Sequence, residues 1–185
     1  MTLSDFLKRS EQLLLKAATE RDHPARTPVL TTVAGQIPFQ RMVVLRAYDP
    51  QLREALFYTD LRSDKVEQLR RNPRAGLLFW DPDERLQIRI RGQISIEMQS
   101  PRTDRHFEEL PPRSLVAYAT QLAPGTPISE ETVARLEECS AVRENFALLC
   151  FQADAFDVLE LTRSLHRRAG FQKISGIWQR TWLVP

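Results

Sequence analysis

The chain has 185 residues, 42% apolar and 27% charged, enough for one domain with a full core. Its 26 basic and 24 acidic residues leave a net charge of +2, too weak a field for broad nucleic-acid binding. No apolar run approaches the roughly 20 residues of a membrane span. Charges interrupt the opening MTLSDFLKRSEQLLLK where a secretory leader keeps an unbroken apolar core, so the expected compartment is the cytoplasm.

Residues 3–20 predict an amphipathic helix, with Leu3, Phe6, Leu7, Leu14, Ala17 and Ala18 at helical spacing. DHPARTP (22–28) breaks it. VLTTVA (29–34) predicts a strand that turns through Gly35-Gln36 into a second, 37–48, and ALFYT (55–59) a third. Ser63 is placed to cap a helix reaching about Arg71, which Asn72-Pro73 stops. AGLLFW (75–80) reads as a short buried strand, and 86–98 as a long one. In the latter Ile88, Ile90, Ile94 and Ile96 take one face, and Gln87, Arg89, Arg91, Gln93 and Ser95 the other. Residues 100–118 are irregular to helical, 121–129 a loop, and Ser129 to Thr132 opens a helix ending near Ser140. Strands follow at about 146–161, 165–174 and 176–184, the last two joined by a Ser175-Gly176 hairpin. Seven or so strands, short turns and few helices predict a mainly β, antiparallel barrel with decorating helices, in a single domain spanning 1–185.

Chemistry is sparse at the level of motifs. There is no GxGxxG, P-loop, HExxH or GxSxG. His23, His106 and His166 form no helical ligand pair, and Cys139 and Cys150 have no metal-ligand spacing, so no metal is expected. What remains is a set of anion-binding residue types. Arg41 and Arg46 bracket four apolar residues in RMVVLR, either as charged tips at a sheet rim or as forks reaching for an anion. Tyr58-Thr59 closes the next strand, and Ser63 and Lys65 stand at a helix start, where backbone amides and the helix dipole favour phosphate. Gln87 opens the long strand, and His166, Arg167 and Arg168 mark a strand near the C-terminus. Arg41 and Arg46 are an odd number of positions apart, so on a regular strand they leave opposite faces. One ligand meets both only along an edge, between subunits or across a bulge.

RMVVLR, FYTDLRSDK, QLRRNPRAGLLFW, LQIRIRG, LHRRAGF and the terminal WLVP together resemble the pyridoxamine 5′-phosphate oxidase family of FMN-binding split barrels, over roughly residues 28–185. The resemblance implies a split barrel of six to seven strands and a homodimer with FMN at the subunit interface. It implies a flavoprotein oxidoreductase acting on a small molecule. Arg41 would grip the FMN phosphate, with Met42, Val43, Val44 and Leu45 along the flavin. Arg46 replaces the usual lysine near ring and substrate. Tyr58, Thr59, Ser63, Lys65, Gln87, Gln121 and Arg168 would be further FMN contacts. His106, Ser114 and His166 fall at substrate positions, with Arg46 and His166 as the catalytic candidates.

The departures from the family pattern concern phosphate. Asp64 stands where an FMN-phosphate arginine is usual, with Arg62 and Ser63 as candidate replacements. Leu110 and Ser164 stand where arginines hold the substrate phosphate, His106 where a tyrosine does, and Val158 where a tryptophan is usual. Losing two charged hydrogen bonds weakens phosphate binding by a factor on the order of hundreds to thousands. The expected function is therefore an FMN-dependent oxidoreductase with an unassigned substrate. The alternatives are a genuine pyridoxamine/pyridoxine 5′-phosphate oxidase with relocated phosphate ligands, which Arg102, Arg105 or Arg113 would supply, and a non-catalytic flavin-binding protein.

Overall fold

The computed structural model describes residues 1–130, 143–162 and 165–185. The helix expected at 129–140 falls almost wholly outside these, as does Ser164. The first helix, α1 (Leu3–Thr19), starts where Thr2 and Asp5 cap each other reciprocally, and it buries Phe6, Leu13, Leu14 and Ala17. Past its end, Arg26 donates to the Ala17 and Ala18 carbonyls, supplying donors to a helix terminus that lacks them.

Nine strands make one antiparallel sheet among the described residues: β1 (Val29–Ala34), β2 (Ile37–Met42), β3 (Leu45–Asp49), β4 (Glu54–Asp60), β5 (Arg74–Asp81), β6 (Leu86–Glu97), β7 (Phe146–Glu160), β8 (Arg167–Ile174) and β9 (Ile177–Leu183). The order is β2-β1-β5-β6-β7-β4-β3, with β8 and β9 branching from β7. The architecture is the split-barrel type, with more strands than the six or seven expected.

One extra strand has a specific origin. The expected strand 37–48 breaks at Val43-Val44, and its halves lie at opposite ends of the sheet order. Met42 pairs with Val29, and the Val43 amide donates to the Pro28 carbonyl. Pro28 has no N–H to return, so the ladder stops there and the chain crosses to β4. A second irregularity follows at once. Leu45 pairs with Phe57 and Ala47 with Leu56, leaving Arg46 as an unpaired bulge residue.

The long strand β6 alternates as its sequence predicts: Ile88, Ile90 and Ile94 are buried, Arg89, Arg91 and Gln93 exposed. β7 bulges against it, so that Arg91 pairs with Ala155 but Gly92 with Ala153. A Cβ on Gly92 would lie 2.1 Å from the Gln152 carbonyl oxygen, so only glycine fits. The hairpin β8–β9 turns on Ser175 and Gly176, both with positive φ, as a tight two-residue turn requires.

Among the described residues four α-helices decorate the sheet: α1, α2 (Asp64–Arg71), α3 (Pro101–Glu108) and α4 (Pro112–Leu115). The larger core collects α1, β1 and inward residues of β4 to β8. A smaller cluster of Leu56, Leu110, Tyr118, Phe146, Leu148 and Cys150 packs with Tyr58, Phe107 and Leu115. Alternation on β4 sends Phe57 to the first core and Leu56 and Tyr58 to the second. Among the described residues no helix is long and apolar enough to cross a membrane, and no group of His, Cys, Asp and Glu is placed to hold a metal.

Candidate functional site

Two cations with no carboxylate partner among the described residues meet where α2 begins. Arg41 projects from β2 between β1 and α2. It donates to the Thr32 hydroxyl, to the Phe39 carbonyl at 3.2 Å and to Gln68 Oε1 at 2.9 Å. Thr32 is fully buried and donates in turn to the same Gln68 oxygen at 2.5 Å. Lys65 Nζ donates to Ser63 Oγ at 3.0 Å and Thr59 Oγ1 at 3.3 Å. Burial, and next the nearby Arg41 charge, push the Lys65 pKa down, against the opposing pull of Asp60 and Asp64. Burial likewise depresses Arg41, with Asp64 opposing. Two half-buried cations that repel each other, ringed by hydroxyls, are an arrangement that a bound dianion relaxes.

Ser63 stands at the N-cap position of α2, but its hydroxyl makes no capping bond. It donates back to the Asp60 carbonyl at 2.7 Å and accepts from Lys65, so its expected capping role is replaced by one in the cation cluster. Arg62, a candidate replacement for the arginine expected at 64, is engaged elsewhere. Its fork grips the buried Asp60 carboxylate, Nε to Oδ1 at 3.0 Å and Nη2 to Oδ2 at 2.7 Å. Its Nη1 donates to the carbonyls of Thr120 and Gln121 at 2.9 and 3.2 Å. That bond is what brings Gln121 to the neighbourhood of α2.

A second group lies on the other face of β4. The guanidinium of Arg46 sits over the Tyr58 ring, 4.8 Å from its centroid. Arg46 Nε is buried with no hydrogen-bond partner among the described residues. The Tyr58 hydroxyl is 2.9 Å from His106 Nδ1, and its ring is set edge-on to Phe146 at 5.1 Å. Burial raises the Tyr58 pKa, with Arg46 opposing. Burial lowers that of His106, with Arg102 and Arg105 adding to the effect and Glu109 and Glu97 opposing it. Near neutrality the pair is therefore a phenol and an uncharged imidazole.

The remaining candidates are spread out. Met42 is exposed, Val43 and Val44 are half-buried and Leu45 is in the larger core. Ser114 is half-buried in α4. Gln87 lies on the outer face of β6, opposite Trp80 of β5. Arg168 is bidentate to Asp157, Nε to Oδ1 at 3.0 Å and Nη2 to Oδ2 at 2.8 Å, and Asp157 also takes Arg89 at 2.5 Å. His166 is exposed between β7 and β8. Among the described residues no hydrogen bond or ring contact joins it to Arg46, its expected catalytic companion.

Residue types alone did not single out Thr32, Gln68, Asp60 or Asp157. Gln68 was within reach, since it lies three residues from Lys65 and so on the same helix face. Asp157 becomes visible only through register, directly opposite Arg89.

Comparison with known proteins bears on the family and the fold. The family described as pyridoxamine 5′-phosphate oxidase, FMN-binding domain, matches residues 8–98. A pyridoxine/pyridoxamine 5′-phosphate oxidase of Microcystis aeruginosa is 30% identical over 160 residues, 80% of this chain and 73% of the relative. One of Nitrobacter hamburgensis is 31% identical over 129 residues, 65% of this chain but only 59% of that relative's length. Among solved structures, a pyridoxamine 5′-phosphate oxidase-related, FMN binding protein of Nostoc punctiforme superposes with TM-score 0.79 at 23% identity, covering all of both chains. PhzG of Burkholderia lata, solved with tetrahydrophenazine-1-carboxylic acid, gives 0.76 at 18%, covering 97% of this chain and 92% of PhzG. The sequence matches place the chain in the pyridoxamine 5′-phosphate oxidase FMN-binding domain family, and its fold agrees.

Proposed function

We propose that this protein binds FMN, with the phosphate between Arg41 and Lys65, and works as an oxidoreductase on a small molecule. The observation that carries the proposal is the pair itself: two half-buried cations with hydroxyl and amide partners but no carboxylate partner among the described residues. Thr59 and Ser63 would complete the phosphate cradle, and Arg46 and Tyr58 would lie toward the ring. FMN, when bound, supplies the redox chemistry, and the chain supplies position and electrostatics. Arg46 stands ready to stabilise negative charge, since its buried Nε has no partner among the described residues.

The donor we propose is not held through a phosphate as in the B6 oxidases. Leu110, at an arginine position of the family, is buried in the smaller core. Arg102, a candidate replacement, is committed to Glu54 at 2.8 Å and Glu97 at 3.3 Å.

We further propose a homodimer with FMN at its interface. The outer sheet face carries Leu78 and Trp80, 38% and 42% exposed, beside Gln87 and Arg89. Arg168 is hydrogen-bonded to Asp157, and Arg41 and Lys65 to Thr32, Phe39, Gln68, Thr59 and Ser63, so a ligand meeting all of them would reach across from a second copy. The test is direct. Purified protein is expected to be yellow, to hold stoichiometric FMN and to reduce it with a small-molecule donor. Colourless protein that takes up no added FMN overturns the proposal. Rapid peroxide production with pyridoxamine 5′-phosphate overturns the donor assignment alone.

A further inference from the structure

Arg62 is engaged away from the cation pair in this geometry, yet it stands two residues before Asp64 and three before Lys65, in the turn that feeds α2. Asp60, whose residue exposure is 6%, ends β4 at the start of that turn. Its Oδ1 accepts from the Arg62 amide at 2.8 Å and from Nε at 3.0 Å, and its Oδ2 from Nη2 at 2.7 Å. Its carbonyl accepts from the Ser63 amide and hydroxyl at 3.1 and 2.7 Å. The carboxylate is thus saturated from within its own turn. Lys65, five residues on, donates only to the Thr59 and Ser63 hydroxyls, although the Asp60 charge reaches it.

We propose that Arg62 is a positioning residue for the anion site: by holding the buried Asp60 carboxylate in a fork, it keeps the Lys65 ammonium free to take the FMN phosphate. This rests on the FMN proposal above. A buried carboxylate stripped of its partner seeks another cation, and Lys65, which the Asp60 charge already reaches, is the one the phosphate needs. An Asp60–Lys65 pair would cancel one of the two cations and draw Nζ off the Ser63 and Thr59 hydroxyls. The same guanidinium holds the 120–121 carbonyls, so one side chain orders both the turn and the loop beside it. Charge is the decisive part, and it separates from loop order by experiment.

The measurement is the dissociation constant of FMN, and of riboflavin, which lacks the phosphate, by flavin fluorescence on protein stripped of its flavin. Arg62→Gln is expected to weaken FMN about tenfold or more and riboflavin far less. Asp60→Asn combined with Arg62→Gln is expected to recover most of the FMN affinity, because the competing carboxylate is gone although the loop contact is still lost. If Arg62→Gln does not fold, Arg62→Lys keeps a cation beside Asp60 and is expected to bind FMN close to wild type. Unchanged FMN affinity in Arg62→Gln overturns the inference. So does an equal loss for both flavins, or a double variant no better than the single one, or an Arg62→Lys variant as weak as a Lys65→Met control. Wild-type protein that binds no FMN at all is a different result. It removes the FMN proposal before any variant is made.

Discussion

At the scale of single residues, Lys65 and His106 respond to protons in opposite ranges. Burial and Arg41 hold the Lys65 pKa below the usual lysine value. Its ammonium is therefore lost at lower pH than a free lysine's, and affinity for an anion falls as alkaline pH removes the charge. FMN affinity followed into the alkaline range is expected to decline earlier than ordinary lysine titration predicts. In Lys65→Met it is expected to be weaker throughout and to lack that decline. His106 is displaced in the same direction but matters on the acid side. Its folded pKa lies below about 6.5, the usual histidine value, so below that pH the unfolded chain takes up protons that the folded chain refuses. Stability contributed by the neutral imidazole is complete above the unfolded pKa and falls as pH drops through and below it. Urea midpoints for wild type and His106→Asn should converge as pH falls from 7 to 5. Parallel curves would show that His106 titrates normally. Cys150, by contrast, is inert: burial, and next Glu54, push its thiol up to about 11. In a Cys139→Ser background, native protein is expected to react with a thiol reagent far more slowly than unfolded protein.

At the scale of elements, alternation and turn chemistry carried most of the legible information. The β6 stripe, the Asn72-Pro73 stop and the Ser175-Gly176 hairpin all depend on neighbours close in sequence, and all stand as expected. The break at Val43-Val44 was not legible. MVVL reads locally as one buried strand, and only the proline opposite, 15 residues earlier, ends its ladder. The odd spacing of Arg41 and Arg46 pointed to an edge or bulge without saying which; both are present. The bulge in β7 was also silent, since Gly92 sits in an otherwise regular alternation. Gly92→Ala places a methyl group against the Gln152 carbonyl, which is backbone and cannot swing aside. A loss of about 2–3 kcal/mol or more is expected by urea unfolding, and a loss under about 0.5 kcal/mol would mean that β7 yields easily.

At the scale of the whole molecule, the candidate site was legible as a roster but not as an arrangement. Arg41, Thr59, Ser63 and Lys65 do gather, and so do Arg46, Tyr58 and His106, but on opposite sides of β4. Tyr58 and Thr59 are adjacent in sequence and so diverge in space. Gln87 and Arg168 belong to the outer face, where Asp157 clamps Arg168 together with Arg89. If that face is shared by two copies, charging it disrupts cofactor retention as well as assembly. Trp80→Asp is expected to shift sedimentation toward monomer and to lose bound FMN in the same step. Dimer retained with full flavin content would locate the interface elsewhere.

The two-residue crossing at Val43-Val44 has a mechanical consequence. The outermost strands β2 and β3 are tied by a short covalent tether, with no ladder of their own between them. Arg41 and Arg46 are the posts on either side of that slit. A molecule that grips both posts acts as a buckle on a hoop, limiting how far the slit breathes. Loading with FMN is thus expected to slow amide exchange in β2 and β3 together, while the enclosed middle of β6 exchanges as slowly as before.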